Sequence, residues 1–255
     1  MVTDEKKVLR IGHRGAPSFF LENTIASIQK AVEVGVDMVE FDIRRTLDDQ
    51  FVLWHSSRFG RFFDVSSRVA RKKIADLMHV RGGDGQPIAL LQDAIDAVKG
   101  LALMNIDLKS SGGEEGLVDL IVRKGVEKDV LISSHHTKSL RKIKELEPRI
   151  HTGISLPKDR FHLSILEDIW PVRKSSLFLM RRMIRYWGLR SLEKARADAL
   201  MLYYELLSPG LVQFFQTRGV PVYAYTVDDE GAMEKVASMG VHGIASNRPE
   251  LFQEV

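Results

Sequence analysis

The sequence predicts an α/β fold, a (β/α)8 TIM barrel with an extra hairpin strand after its second strand, on three observations. Eight short, apolar, β-rich runs recur along the chain. Amphipathic stretches with a period near 3.6 separate most of them. The length of 255 residues is the usual size of such a barrel. Strands alternating with helices imply right-handed crossovers and a parallel sheet. A doubly wound open sheet is the alternative, weakened because no G-x-G-x-x-G follows the first strand.

The elements follow in order. Val8–Gly12 is the first strand, and Thr24–Val34 is a helix with Gly35 just past its end, where a left-handed cap favours glycine. Met38–Ile43 is the second strand. Phe51–His55 comes too soon after it for a parallel crossover, so Glu40–His55 is read as a hairpin with Asp48 and Asp49 in its turn. Ile88–Val98 is a helix stopped by Gly100, and Leu103–Leu108 the third strand. Glu115–Lys124, stopped by Gly125, leads to strand Val130–Ser133, and Lys138–Leu146 leads to Thr152–Ser155. Ala199–Leu202 is the sixth strand. The helices Pro209–Thr217 and Glu230–Met239, with Gly219 and Gly240 beyond them, alternate with strands Val222–Val227 and Gly243–Ala245. Residues 1–255 read as a single domain, with excursions from the barrel near 56–86 and 158–193.

Composition narrows the functions. Apolar residues make up 44% and charged residues 28%, as in an ordinary globular protein. With no cysteine, disulfide scaffolds, thiolate zinc sites and cysteine nucleophiles are excluded. The N-terminus shows no apolar stretch of signal-peptide length, and no run approaches the roughly 18 apolar residues of a spanning helix. The expectation is a soluble, cytoplasmic protein. Lys158–Arg196 holds ten Lys/Arg and four Asp/Glu, a balance of +6, which leaves −3 on the rest of a chain whose net charge is +3. One basic segment on a mildly acidic body does not suggest a nucleic-acid partner.

In a parallel barrel the chemistry sits at the C-terminal ends of the strands. There the first strand ends in Gly12-His13-Arg14-Gly15, the second carries Glu40 and Asp42, the third Asp107 and Lys109, and the hairpin ends at His55. Residues two apart on a strand share a face, so Glu40 and Asp42 point the same way, as do Asp107 and Lys109. Burying three unpaired carboxylates would cost several kcal/mol each, and a divalent cation would offset that. Oxygen donors without thiolate point to a hard ion, Mg²⁺ or Ca²⁺. The plainer reading pairs these acids with Arg14, Arg44 or Lys109. His13 and His55 join the cluster, and two histidines beside a metal and two cations suggest a general acid and base around an anion. His135 and His136, after the fourth strand, could also face the pocket but read as loop residues.

The ordered set Gly12-His13-Arg14-Gly15, Leu21-Glu22-Asn23-Thr24, Val39-Glu40-Phe41-Asp42-Ile43, Thr46-Leu47-Asp48 and His55 resembles the glycerophosphodiester phosphodiesterase family, whose pattern is approximately H-R-G…P-E-N-T…E-x-D-x…T-x-D-G…H-D. The likeness continues through Asn105-Ile106-Asp107-Leu108-Lys109, Ile132-Ser133-Ser134, Ala224-Tyr225-Thr226-Val227 and Gly240-Val241-His242-Gly243-Ile244…Asn247-Arg248-Pro249. Lys158–Ala195 is its least matched part. The resemblance implies a metal-dependent phosphodiesterase with metal-binding Glu40, Asp42 and Asp107, catalytic His13 and His55, and phosphate-binding Arg14 and Lys109. It also places Tyr225 against the substrate, where the family usually has Trp.

Other departures are Ser56 after the second histidine in place of Asp, Asp107 where Glu is commoner, Leu21 for Pro, and Ser246-Asn247 for Thr-Asp. None removes a catalytic group. The reading is cleavage of a small-molecule glycerophosphodiester to an alcohol and glycerol phosphate, by water or by a neighbouring substrate hydroxyl. The alternative is a lipid-headgroup phosphodiesterase, or a weakly active barrel, docking on membrane surfaces through the basic 173–190 segment. On a helix, Leu177, Met180, Ile184 and Trp187 would form an apolar stripe there, flanked by Arg181, Arg182 and Arg185.

Overall fold

The computed structural model describes residues 8–55, 69–81, 85–157 and 170–253. Eight parallel strands close into a barrel: β1 (Leu9–Gly12), β2 (Met38–Arg45), β4 (Leu103–Leu108), β5 (Val130–Ser134), β6 (His151–Leu156), β7 (Ala199–Tyr203), β8 (Val222–Tyr225) and β9 (Gly243–Ser246). The ring shuts where β1 pairs with both β9 and β2. β3 (Phe51–Leu53) lies outside it, antiparallel to β2, which is the expected hairpin.

Strand alternation divides the side chains into two cores. Val39, Phe41 and Ile43 of β2 point outward and are wholly buried beneath the surrounding helices. Met38, Ile11, Leu131, Ala199, Met201, Tyr223 and Ala245 fill the barrel interior. Farther along the same inward faces the residues become Glu40, Asp42, Asn105, Asp107, Ser133 and Ser155, all buried. The barrel is therefore plugged by apolar side chains below and lined by polar ones at the mouth.

The helices are α1 (Ile25–Val34), α2 (Ile74–Leu77), α3 (Leu91–Val98), α4 (Glu114–Lys124), α5 (Thr137–Leu146), α6 (Trp170–Ala195), α7 (Pro209–Gln216) and α8 (Glu230–Ala237). Their ends follow local chemistry. Thr24 caps α1 by accepting from Ser27 N, and Gly35 closes it in a left-handed conformation. Ser208 and Asp229 cap α7 and α8 in the same way. The helix expected from Ile88 begins only at Leu91. Ala89 accepts a bond from Leu53 N at 2.9 Å and Leu90 bridges Val52, so these residues extend the hairpin instead.

The basic segment is part of one 26-residue helix, about 39 Å long, that fills the β6–β7 crossover. Met180 and Ile184 are buried on the barrel, and Trp187 is half-buried. The expected apolar stripe is thus a wall contact at these positions; the Leu177 side chain lies outside the described residues. Arg181 donates to Glu205 O at 3.0 Å, and Arg185 to Gly210 O at 3.3 Å with its guanidinium over the Phe214 ring. Of the two expected excursions, 56–68, 82–84 and 158–169 lie outside the described residues. The first excursion includes α2, and the second runs into α6. Among the described residues, no helix is long and apolar enough to cross a membrane.

Candidate active site

A cavity of about 380 Å³ opens at the C-terminal ends of the strands. His13, Arg14, Glu40, His55, Asp107, Lys109 and Tyr225 line it. Asp42 lies beneath, fully buried. All eight residues singled out from the sequence therefore meet in one place.

The loop after β1 is folded tightly onto β2. Gly15 has φ of +89°, and a Cβ there would lie 2.6 Å from the Ser27 carbonyl carbon, so no larger residue fits. Arg14 before it also sits in the left-handed region, at φ 58°. This turn lets Arg14 N donate to Glu40 Oε2 at 2.7 Å, and brings its Nε 3.0 Å from Asp42 Oδ2. Glu22 grips the same guanidinium with both carboxylate oxygens, at 2.9 and 2.8 Å from Nη1. From β4, Lys109 Nζ lies 2.8 Å from Asp42 Oδ1 and donates to Asp107 Oδ2 at 2.6 Å.

Two of the three acids are thus neutralised, contrary to the expectation of unpaired carboxylates. Arg14 pairs with Asp42, and Lys109 with Asp42 and Asp107, as the plainer reading had it, while Glu40 accepts the Arg14 backbone N–H. Arg44 serves the backbone at this rim. Its guanidinium donates to His55 O at 2.7 and 3.0 Å and to Lys109 O at 3.3 Å, tying two strand ends together through their backbone.

These pairs do not saturate the cluster. Glu40, Asp42 and Asp107 each offer an oxygen within 4.8 Å of the others, the one such group among the described residues. Asp107 Oδ1 is buried with no hydrogen-bond partner. Burial, then the Asp42 and Asp107 charges, raises the Glu40 pKa well above the ordinary carboxylate range. Burial opposes ionisation of Asp42 too, but Lys109 and Arg14 overcome it and hold that carboxyl well below its usual range. A crowded acidic triad with an orphaned oxygen, in which burial and the neighbouring acids oppose the ionisation of Glu40, is chemically suited to a small hard cation.

Both histidines lose basicity. Burial, reinforced by Arg14, brings His13 down to about 3. Burial lowers His55 as well, against the pull of Asp42. His13 Nε2 lies 3.8 Å from Glu40 Oε2, and its Nδ1 is 2.7 Å from Asn247 Oδ1. Tyr225 OH donates to Leu156 O at 2.9 Å, which leaves its ring against the cavity.

Several residues of the site carried no assigned role in the sequence. Asn23, within the Leu21–Thr24 motif, bonds Asp42 twice. His135, read as a loop residue, lines the cavity and donates from Nδ1 to Ser155 O at 2.7 Å. Its position directly after β5 was the available signal. His136 instead starts α5, its N–H on Ser134 Oγ at 3.1 Å.

Comparison with known proteins agrees with this arrangement. Residues 13–251 match the model of the glycerophosphoryl diester phosphodiesterase family. The chain is 28% identical to a glycerophosphodiester phosphodiesterase of Caldanaerobacter subterraneus, covering 96% of each chain. Its fold resembles that of a glycerophosphodiester phosphodiesterase from Parabacteroides distasonis, with a TM-score of 0.78 at 19% identity, covering 98% of this chain and 97% of that one. It also resembles an Oleispira antarctica phosphodiesterase solved in complex with the product sn-glycerol-3-phosphate, at a TM-score of 0.72 and 23% identity, covering 96% and 94%. With a fold, an acidic triad and a whole-chain sequence match in agreement, this chain belongs to the glycerophosphoryl diester phosphodiesterase family.

Proposed function

We propose that the cavity cleaves the phosphodiester of a small glycerophosphodiester, releasing an alcohol and glycerol phosphate, with His13 and His55 moving the protons. The observation that carries this is the triad. Three carboxylates converge on one point with an oxygen to spare, and two cations and two uncharged histidines border the same cavity. The sn-glycerol-3-phosphate found in the Oleispira antarctica relative supports the choice of substrate.

Glu40, Asp42 and Asp107 would hold one divalent cation, Mg²⁺ or Ca²⁺. Such an ion supplies positive charge against the phosphate oxygens and lowers the pKa of a hydroxyl or water beside it. The remaining work falls to the chain. Lys109 has two acids on its ammonium and a third proton for a phosphate oxygen, and Arg14 adds a guanidinium fixed by Glu22. Both cations are set before substrate arrives, so little reorganisation is needed as charge builds on phosphorus oxygens. Because burial keeps both histidines neutral, either can accept a proton on binding. One, neutral, takes the proton from the attacking oxygen, and the other, protonated as the anionic diester binds beside it, gives its proton to the leaving alkoxide. Tyr225 presents an aromatic face to the alcohol portion.

A membrane contact through 173–190 is not part of this reading, since Met180 and Ile184 are spent on the barrel wall. The test is phosphorus NMR of glycerophosphocholine, with wild type, His13→Ala and His55→Ala. Wild type should convert the diester to glycerol phosphate, and each variant should lose on the order of 10²–10⁴ in rate. Undiminished turnover in either variant removes that histidine from the mechanism.

A further inference from the structure

His13 turns its two ring nitrogens to different partners, and which nitrogen carries the proton is settled two residues away. Nδ1 meets Asn247 Oδ1 at 2.7 Å. An amide can present either its oxygen or its nitrogen, but here the far side decides. Asn247 Nδ2 donates to Asp228 Oδ2 at 2.7 Å, and a carboxylate only accepts. Turning the amide over would set two acceptor oxygens against each other.

Asp228 is itself held fast. Its Oδ1 accepts from Asn247 N at 2.7 Å and from Ser246 Oγ at 3.1 Å. With the amide oxygen facing the ring, His13 Nδ1 is obliged to be the donor. Nε2 is then the nitrogen with the open lone pair, on the side of Glu40 Oε2.

We infer that Asp228 and Asn247 are positioning residues that lock His13 as the Nδ1–H tautomer, making Nε2 the ring atom that exchanges protons with the substrate. This rests on the proton-carrying role proposed for His13. The three residues follow β8, β9 and β1, consecutive staves of the barrel, so the relay joins positions 234 apart in sequence at one rim. Asparagine is what makes the relay work. The family resemblance has aspartate at position 247, which could accept from the ring but would repel Asp228. The amide accepts from one and donates to the other.

The test uses protein labelled with ¹⁵N-histidine, loaded with Mg²⁺, with the His13 signals among the eight histidines assigned by their loss in His13→Gln. In wild type, Nδ1 should resonate as a protonated, pyrrole-like nitrogen and Nε2 as a pyridine-like one. Asn247→Leu keeps the bulk and removes the acceptor. It should mix the tautomers and lower kcat about 10–100-fold, with KM within about twofold, because a wrong tautomer costs turnover rather than binding. Asp228→Asn frees the amide to turn over and should give a partial version of both effects. A pyridine-like Nδ1 in wild type, or an Asn247→Leu protein with unchanged tautomer and kcat, would overturn the inference. The wild-type spectrum needs no variant to fold. It also separates the two claims: full turnover by His13→Ala would end the catalytic reading, whereas the spectrum alone decides the relay.

Discussion

Asn23 and Asp42 exchange two hydrogen bonds, Asn23 Nδ2 donating to Asp42 Oδ2 and Asp42 N donating to Asn23 Oδ1, both at 2.9 Å. Both residues are buried, and Asn23 reaches this position from a left-handed turn at φ 59°. The side chain of one residue thus fixes both backbone and carboxylate of the other. Asn23→Ala would leave the Asp42 N–H buried and unpaired and its carboxylate held by Arg14 and Lys109 without the amide. We expect a stability loss of about 1–3 kcal/mol. Affinity for a divalent ion should fall about 10–100-fold, as when a ligand loses its orienting partner. Urea unfolding and calorimetric titration read these separately; unchanged ion affinity would show that Asn23 supports only the fold.

Lys109 makes the strongest claim on stability. It pairs with Asp42 and Asp107 at 2.8 and 2.6 Å, and all three side chains are largely buried. Removing one partner of a buried ion pair leaves a charge uncompensated. Lys109→Met should therefore cost about 3–5 kcal/mol in the metal-free protein. Saturating Mg²⁺ should recover more stability in the variant than in wild type, since Asp107 loses its Lys109 partner and Asp42 keeps Arg14 alone. Equal recovery in both would show that the ion does not sit among these acids.

The depressed His13 fixes the sign of one pH effect. Its folded pKa of about 3 lies below the ordinary value of 6.5, so below pH 6.5 the unfolded chain binds a proton the folded one does not. Stability therefore declines as pH falls from 6.5 toward 3, with a slope approaching about 1.4 kcal/mol per pH unit for this group. Glu40, with a raised pKa, acts in the opposite direction, so the comparison is between wild type and His13→Asn in metal-free protein. The variant's stability should decline less over that window. Parallel curves would mean that His13 titrates normally.

Much of this site was legible in sequence because strand geometry is local. Glu40 and Asp42 share a face whatever surrounds them, and strand ends in a parallel barrel converge on one mouth. The hairpin of Glu40–His55 followed from a loop too short for a crossover. What escaped depends on partners distant in the chain. Nothing local says that Asn23 reaches Asp42, that Asn247 reaches His13, or that Arg44 ties the carbonyls of His55 and Lys109 together. The start of α3 was misplaced for the same reason, since Ala89 and Leu90 look helical until the hairpin claims their backbone. The apolar stripe at Met180 and Ile184 had the right period, but period does not distinguish a barrel wall from a lipid surface.

The account stands most directly on the dependence of phosphodiester cleavage on a divalent ion held by Glu40, Asp42 and Asp107. A panel of glycerophosphodiesters should be assayed before and after EDTA, with Mg²⁺ or Ca²⁺ returned, for wild type and Asp42→Ala. We expect glycerol phosphate release that EDTA abolishes and metal restores in wild type, and none under any condition from a folded Asp42→Ala protein. Turnover that survives EDTA, or an Asp42→Ala protein as active as wild type, would contradict it.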